Sequence, residues 1–236
     1  MLTNIRAVIF DLDGTLIDSL GIWNAVDLAL ARTLGHPEFA GPMLAKFRDD
    51  ALARHALEPN PYVGFCADFG QLCHSPLTGE EIHRERYRIS RQMIRDDVKL
   101  KPGADRFVHL LKSRGLKLAI GTTTKRANID IYGSTNPHIA PRLAFDEVFD
   151  VILTREHVTK IKPDPEVYLL AAERLGVDPE HCLVFEDSLQ GLRAAIAAGM
   201  HTAVIRDAWS EHDREALRTE AERHFDDWQS VIDAAL

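Results

Sequence analysis

The stretch Ala7-Val8-Ile9-Phe10-Asp11-Leu12-Asp13-Gly14-Thr15-Leu16 sets the organisation of the whole chain. Four apolar residues run without a break and stop at a carboxylate. A second carboxylate and a glycine follow within three residues. An apolar run with no alternation belongs to a strand covered on both faces, as in a parallel sheet. The signature begins at Ile5 and recurs at Leu116 to Ile120, Val148 to Leu153, Leu183 to Phe185 and Thr202 to Ile205. Helical patterns lie between these runs, at Ala104 to Ser113, Pro165 to Leu175 and Gly191 to Ala198. Two of these stop at glycine, Gly115 and Gly199, a common helix ending. Alternating strand and helix predict an α/β fold with a mainly parallel sheet.

One segment interrupts the alternation. From residue 17 to residue 98 there is no convincing buried strand, and helices are expected at Leu20 to Leu34, Met43 to Leu57 and Glu80 to Arg95. The Pro- and Gly-bearing stretches Gly35 to Pro42 and Glu58 to Gly64 separate them. The division expected is therefore a core of residues 1–16 plus 99–236 and a helical insertion of residues 17–98, with Lys101-Pro102-Gly103 marking the return.

Composition narrows the function classes. The 236 residues are 45% hydrophobic and 27% charged, a globular balance that argues against disorder. The formal charge of -8 repels nucleic acid and anionic membranes, so neither is an expected partner. Three cysteines, Cys66, Cys73 and Cys182, form no disulfide framework, which suits the cytoplasm. No segment reads as a signal peptide or as a membrane span. Oligomeric state is not legible.

In a parallel α/β sheet, ligands sit beyond the carboxyl ends of the strands. The polar residues there are Asp11 and Asp13, Thr122, Thr154 with Lys162 further on, and Glu186 with Asp187. Carboxylates crowded into one crevice repel unless a cation joins them or their pKa values rise. A hard divalent ion such as Mg2+ takes oxygen ligands and leaves positions for water and phosphate. A lysine and a hydroxyl beside it suit the remaining phosphate oxygens, and phosphoryl transfer depends mostly on such positioning and neutralisation. A carboxylate can also attack phosphorus, splitting one displacement into two.

These motifs resemble, in order, the four of the haloacid dehalogenase superfamily. Asp11-Leu12-Asp13-Gly14-Thr15-Leu16 is similar to the first and Ile120-Gly121-Thr122 to the second. Lys162-Pro163-Asp164-Pro165 is similar to the third, and Phe185-Glu186-Asp187-Ser188 with Gly191, Arg193, Ala194 and Ala195 to the fourth. The resemblance implies a Rossmann-like core with an inserted helical cap. It also implies an Mg2+-dependent phosphatase working through an aspartyl-phosphate. Asp11 would be nucleophile and metal ligand, and Asp13 the acid/base with its carbonyl on the metal. Thr122 and Lys162 would hold the phosphoryl group, while Glu186 and Asp187 complete the metal site. Two aspartates spaced one apart in a strand would point to opposite faces, so Gly14 must turn the chain.

Asp13 separates this chain from the family's dehalogenases, which lack an acid there, and from its phosphonate-cleaving members, which carry a small residue. The fourth motif and the Lys-Pro-x-Pro form look most like the branch of β-phosphoglucomutase-like proteins and sugar-phosphate phosphatases. The expected substrate is a small phosphorylated metabolite, such as a sugar phosphate. A phosphomutase is the alternative, but Ser19-Leu20-Gly21-Ile22-Trp23-Asn24 has no histidine where the isomerising relatives carry one. A non-catalytic binding protein would show a lost motif residue, and none is lost.

Other residues have plainer readings. Lys160 reads as a solvated neighbour of Lys162, Ser188 as a helix cap, and Gly14 and Gly191 as structural. Cys66, Cys73 and His74 have the wrong spacing for zinc. Trp23 and Asn24 could meet substrate or pack in the insertion. His83, Arg84, Arg86, Arg88 and Arg91 read as a solvated helix face or a basic lip. Residues 132–142 depart from the compact loop expected after the second motif.

Overall fold

The computed structural model describes residues 2–55 and 57–236. In chain order it runs β1 (Ala7–Phe10), β2 (Ile17–Asp18), α1 (Ile22–Thr33), α2 (Gly41–Arg54), α3 (Pro61–Leu72), α4 (Gly79–Asp96), β3 (Lys99–Leu100), α5 (Ala104–Ser113) and β4 (Lys117–Gly121). Then come α6 (Arg126–Asp130), α7 (Phe145–Val148), β5 (Val151–Leu153), α8 (Glu166–Leu175), β6 (Cys182–Glu186), α9 (Leu189–Ala197), β7 (His201–Ile205), α10 (Arg214–Glu220), β8 (Arg223–Phe225) and α11 (Trp228–Ala235).

Six strands form one sheet in the order β5-β4-β1-β6-β7-β8, and every neighbouring pair is parallel. β1 lies between β4 and β6, and its four residues are wholly buried. That is why it reads as an unbroken apolar run. On one face Phe10 stacks on Phe185 at 5.5 Å, and Trp228 closes on Phe185 at 5.0 Å and on Phe107 at 5.3 Å. Burial of each such ring contributes about 1.5–3 kcal/mol. Trp228 Nε1 donates to the Thr15 carbonyl at 3.1 Å, tying the C-terminal helix to the turn after β1. On the other face Ile9, Ala119 and Val184 pack under Tyr168, Ala171 and Leu175 of α8.

Two compact units emerge, Met1–Leu20 with Asp97–Leu236, and Gly21–Asp96. The insertion thus starts and ends inside the expected 17–98 boundaries. Ile17–Asp18 pairs antiparallel with Lys99–Leu100, so the two crossing strands join each other and stay with the α/β unit. Two-residue strands carry too little pattern to be read from sequence.

The helical unit has its own core, including Val26, Leu30, Phe65, Phe69 and Ile82. It contains a helix that the sequence did not announce, α3, whose first turn falls in the Glu58 to Gly64 stretch expected to separate helices. Pro61 opens α3 in the first turn, where its missing N–H is no loss, and the Asn60 side chain accepts from Tyr62 N at 3.2 Å. Arg86 corrects the reading of a solvated basic face. It is 5% exposed and its Nε donates to buried Asp27 at 2.8 Å. The sixth strand was also unexpected, because β8 is a short, half-buried edge strand with a charged residue and no apolar run.

Candidate active site

β1 ends at Asp11, whose N–H still donates to the Phe185 carbonyl at 2.9 Å, so the side chain leaves the sheet from a fixed backbone. The chain then turns sharply. Gly14 N donates to the Ile17 carbonyl at 2.9 Å, with φ +88° at Gly14. A Cβ on Gly14 would lie 2.5 Å from Asp187 Oδ2, so glycine serves both the left-handed backbone and the close approach of a carboxylate. This turn brings Asp13 to the same crevice as Asp11 although the two are next-but-one neighbours.

Thr122 stands directly after β4, buried, its N–H bonded to the Leu153 carbonyl at 3.0 Å. It caps no helix. Its Oγ1 accepts from Thr124 N at 3.1 Å, which leaves the hydroxyl proton free to donate elsewhere. Lys162 is buried and reaches Asp11 Oδ1 at 2.6 Å and Glu186 Oε1 at 2.7 Å. Lys160 is solvated, and its ammonium lies 3.6 Å from Asp164.

Glu186 and Asp187 end β6. Glu186 Oε1 also accepts from the Tyr168 hydroxyl at 2.5 Å. Its Oε2 accepts from Asp187 N, Ser188 N and Ser188 Oγ at 3.1, 3.2 and 3.0 Å. Asp187 accepts from Thr15 Oγ1 at 3.0 Å and from Ser210 Oγ at 3.2 Å. Ser188 does cap α9, accepting from Gly191 N at 3.1 Å. Gly191 does more than turn the chain, because a Cβ there would overlap the Glu186 carboxylate at 1.7 Å.

The six residues singled out in the sequence therefore share one region. Asp11, Asp13, Thr122, Lys162 and Asp187 line a cleft of about 270 Å³ together with Leu20, Thr123, Ile161, Ser188, Gln190 and Ser210. Glu186 lies behind it, bonded to Lys162. Tyr168, Thr15, Ser19, Thr124 and Ser210 escaped sequence reading. Thr15 and Thr124 sit inside or beside recognisable motifs, whereas Tyr168 and Ser210 carry no local signal. Thr154 turns away, donating to Glu156 at 2.6 Å.

Electrostatically the cleft is short of positive charge. Carboxylate oxygens of Asp11, Glu186 and Asp187 lie within 4.8 Å of one another, the one such cluster among the described residues. Burial raises the Asp11 carboxyl well above its ordinary value; Lys162 opposes this, and Glu186 and Asp187 add to it. Burial and the Glu186 charge push Asp187 up to about 7. Burial also raises Asp13, against the bonds from Ser19 and Thr124. For Lys162 burial works against the charge, but Asp11 and Glu186 outweigh it and hold the ammonium above its ordinary range. An all-oxygen donor set with a surplus of negative charge fits a hard divalent cation.

Cys66, buried with its thiol pushed up to about 12 by burial, belongs to the core of the helical unit. Trp23 faces the Arg86 guanidinium at 5.1 Å, and Asn24 accepts from Arg48 at 3.0 Å.

The ends of a parallel sheet thus gather carboxylates around one lysine, in a chain with a helical unit inserted after the first strand. A family model for haloacid dehalogenase-like hydrolases matches residues 5–199. YhcW of Bacillus subtilis (strain 168) is 36% identical over 135 residues, 57% of this chain and 56% of that one. Fructose-1-phosphate phosphatase YqaB of Escherichia coli (strain K12) is 30% identical over 201 residues, covering 84% of this chain and 95% of that one. The crystal structure of CbbY from Rhodobacter sphaeroides in complex with phosphate superposes with a TM-score of 0.69 at 29% identity, covering 95% of both chains. The chain belongs to the haloacid dehalogenase-like hydrolases, in the branch of β-phosphoglucomutase-like proteins and sugar-phosphate phosphatases, and it is a phosphatase.

Proposed function

We propose that this phosphatase hydrolyses a small phosphate monoester, a sugar phosphate or a close relative, through an aspartyl-phosphate on Asp11. The observation that carries the reading is the salt bridge between Asp11 and Lys162 inside the acidic cluster. It fixes one carboxylate at the strand end in a buried site with a cation beside it. Mg2+ would be held by Asp11 and Asp187, with the Asp13 carbonyl and Glu186 completing the set. Bound there, it would supply the positive charge that the cluster lacks and that the transferring phosphoryl oxygens require.

The residues then divide the work. A carboxylate oxygen of Asp11 forms the bond to phosphorus while the bond to the leaving oxygen breaks. Asp13, whose carboxyl burial raises above its ordinary value, gives its proton to that oxygen. Lys162 and the Thr122 hydroxyl hold the phosphoryl oxygens. In the second half Asp13 takes a proton from water, the water oxygen bonds to phosphorus, and the Asp11–phosphorus bond breaks to release inorganic phosphate. The unit Gly21–Asp96 is read as the substrate-selecting cap from its place in the chain after the first motif and its helical make-up.

The test is phosphate release from a panel of sugar phosphates and other phosphorylated metabolites, with Mg2+, with EDTA and with Asp11→Asn. Hydrolysis of one or a few members, lost in both controls, is the expected result. Release that survives EDTA or the variant would overturn the assignment.

A further inference from the structure

We propose that Ser19 and Thr124 are positioning residues of this reaction, gripping the two oxygens of Asp13 so that its carboxyl meets the leaving oxygen in one orientation. The inference rests on the reading of Asp13 as proton donor. Ser19 Oγ donates to Asp13 Oδ1 at 2.6 Å, and Thr124 Oγ1 donates to Asp13 Oδ2. One bond on each oxygen stops the carboxyl from turning about its terminal torsion, which is otherwise broad.

Both grips are anchored. Ser19 is 2% exposed and follows β2, which β3 pairs in place. Thr124 is held by both of its backbone groups, its N–H donating to Thr122 Oγ1 at 3.1 Å and its carbonyl accepting from Arg155 N at 3.0 Å. The grip therefore joins the ends of β4 and β5 to the turn after β1. Through Thr122 it also links the proton donor to a residue assigned to the phosphoryl oxygens.

The chemistry of the partners is informative. A hydroxyl can donate and accept, whereas an ammonium or guanidinium only donates. Two hydroxyls can stay bonded to Asp13 before and after it passes its proton, without a reorganisation that would slow the step. Positioning of this kind matters because small misplacement of a reacting group sharply lowers its efficiency.

The test uses leaving groups. Thr124→Val keeps the shape and removes the hydroxyl, Thr124→Ser restores it, and Ser19→Ala removes the other grip. For each, kcat/KM would be measured with Mg2+ on an alkyl phosphate and on 2,4-dinitrophenyl phosphate, whose leaving group departs without a proton. This ratio reports only steps up to departure of that group. Thr124→Val should lose about 30- to 100-fold on the alkyl ester and less than about 3-fold on the dinitrophenyl ester, with Thr124→Ser close to the parent. Ser19→Ala should show the same asymmetry. Equal losses on both esters, or no loss on either, would overturn the proposal. Asp13→Asn is the control. If it strikes both esters alike, the reading of Asp13 as proton donor fails first, and the grip loses its purpose with it.

Discussion

Each unit of this protein buries carboxylates, and the two settle them in opposite ways. In the helical unit Asp27 is 1% exposed and receives Arg86 Nε and Arg48 Nη1, both at 2.8 Å. The Arg86 guanidinium also lies over the rings of Trp23, Tyr62 and Phe65 at 5.1, 5.6 and 5.3 Å. Two cations serve one anion, so the Asp27 charge is met within the fold. In the α/β unit Asp11, Glu186 and Asp187 crowd together around Lys162. The first arrangement is a lock between helices. The second keeps unfavourable charge in place, which is what a site that must take up a cation and a phosphoryl group needs.

That contrast can be broken from either side. The largest effect should come from Asp11→Asn, which removes one charge from the crowded cluster and the attacking oxygen with it. Turnover should fall by at least about 10⁴-fold, roughly 5.5 kcal/mol in the barrier, in a steady-state assay. Thermal unfolding of the metal-free protein should show no loss of stability. Next, Arg86→Met should destabilise the protein by about 3 kcal/mol in urea unfolding, because it leaves Asp27 buried with one partner fewer. An unchanged unfolding midpoint would show that Arg48 alone suffices.

Asp187→Asn should do the reverse in the metal-free protein. The folded carboxyl, raised from 3.8 to about 7, keeps its proton to higher pH than the unfolded chain does. Stability therefore falls as pH rises from about 4 to about 7, and the penalty is complete above that window. The variant should match the parent below pH 4 and exceed it by on the order of 1–3 kcal/mol at pH 8. A variant less stable at pH 8 would contradict the account of the cluster. The smallest effect belongs to Thr15→Val, which removes the hydroxyl donated to Asp187 Oδ1. It should weaken Mg2+ binding by about 10-fold in calorimetry while leaving the fold intact.

The legible part of the molecule is the part where one rule applies repeatedly. Buried parallel strands announce themselves as apolar runs, and their polar ends gave Asp11, Thr122, Glu186 and Asp187 before any contact was known. Lys162 followed further on from Thr154, in the Lys162-Pro163-Asp164-Pro165 stretch. What escaped was long-range or weakly patterned. Tyr168 sits in an ordinary helical stretch and becomes part of the site only because α8 packs over β1 and β4. Ser210 reaches Asp187 from the segment after β7. The Arg86–Asp27 pair looks like helix-surface charge in sequence, since nothing local tells a buried arginine from a solvated one. Pro61 misled because proline both breaks helices and opens them.

The central claim is that Asp11 forms a bond to phosphorus. The direct measurement is rapid acid quenching during turnover of a ³²P-labelled ester that the enzyme hydrolyses, followed by peptide mapping. Label on the peptide that contains Asp11, absent in Asp11→Asn, is the result predicted. Turnover with no protein-bound label at any quench time, or label on another residue, would contradict it.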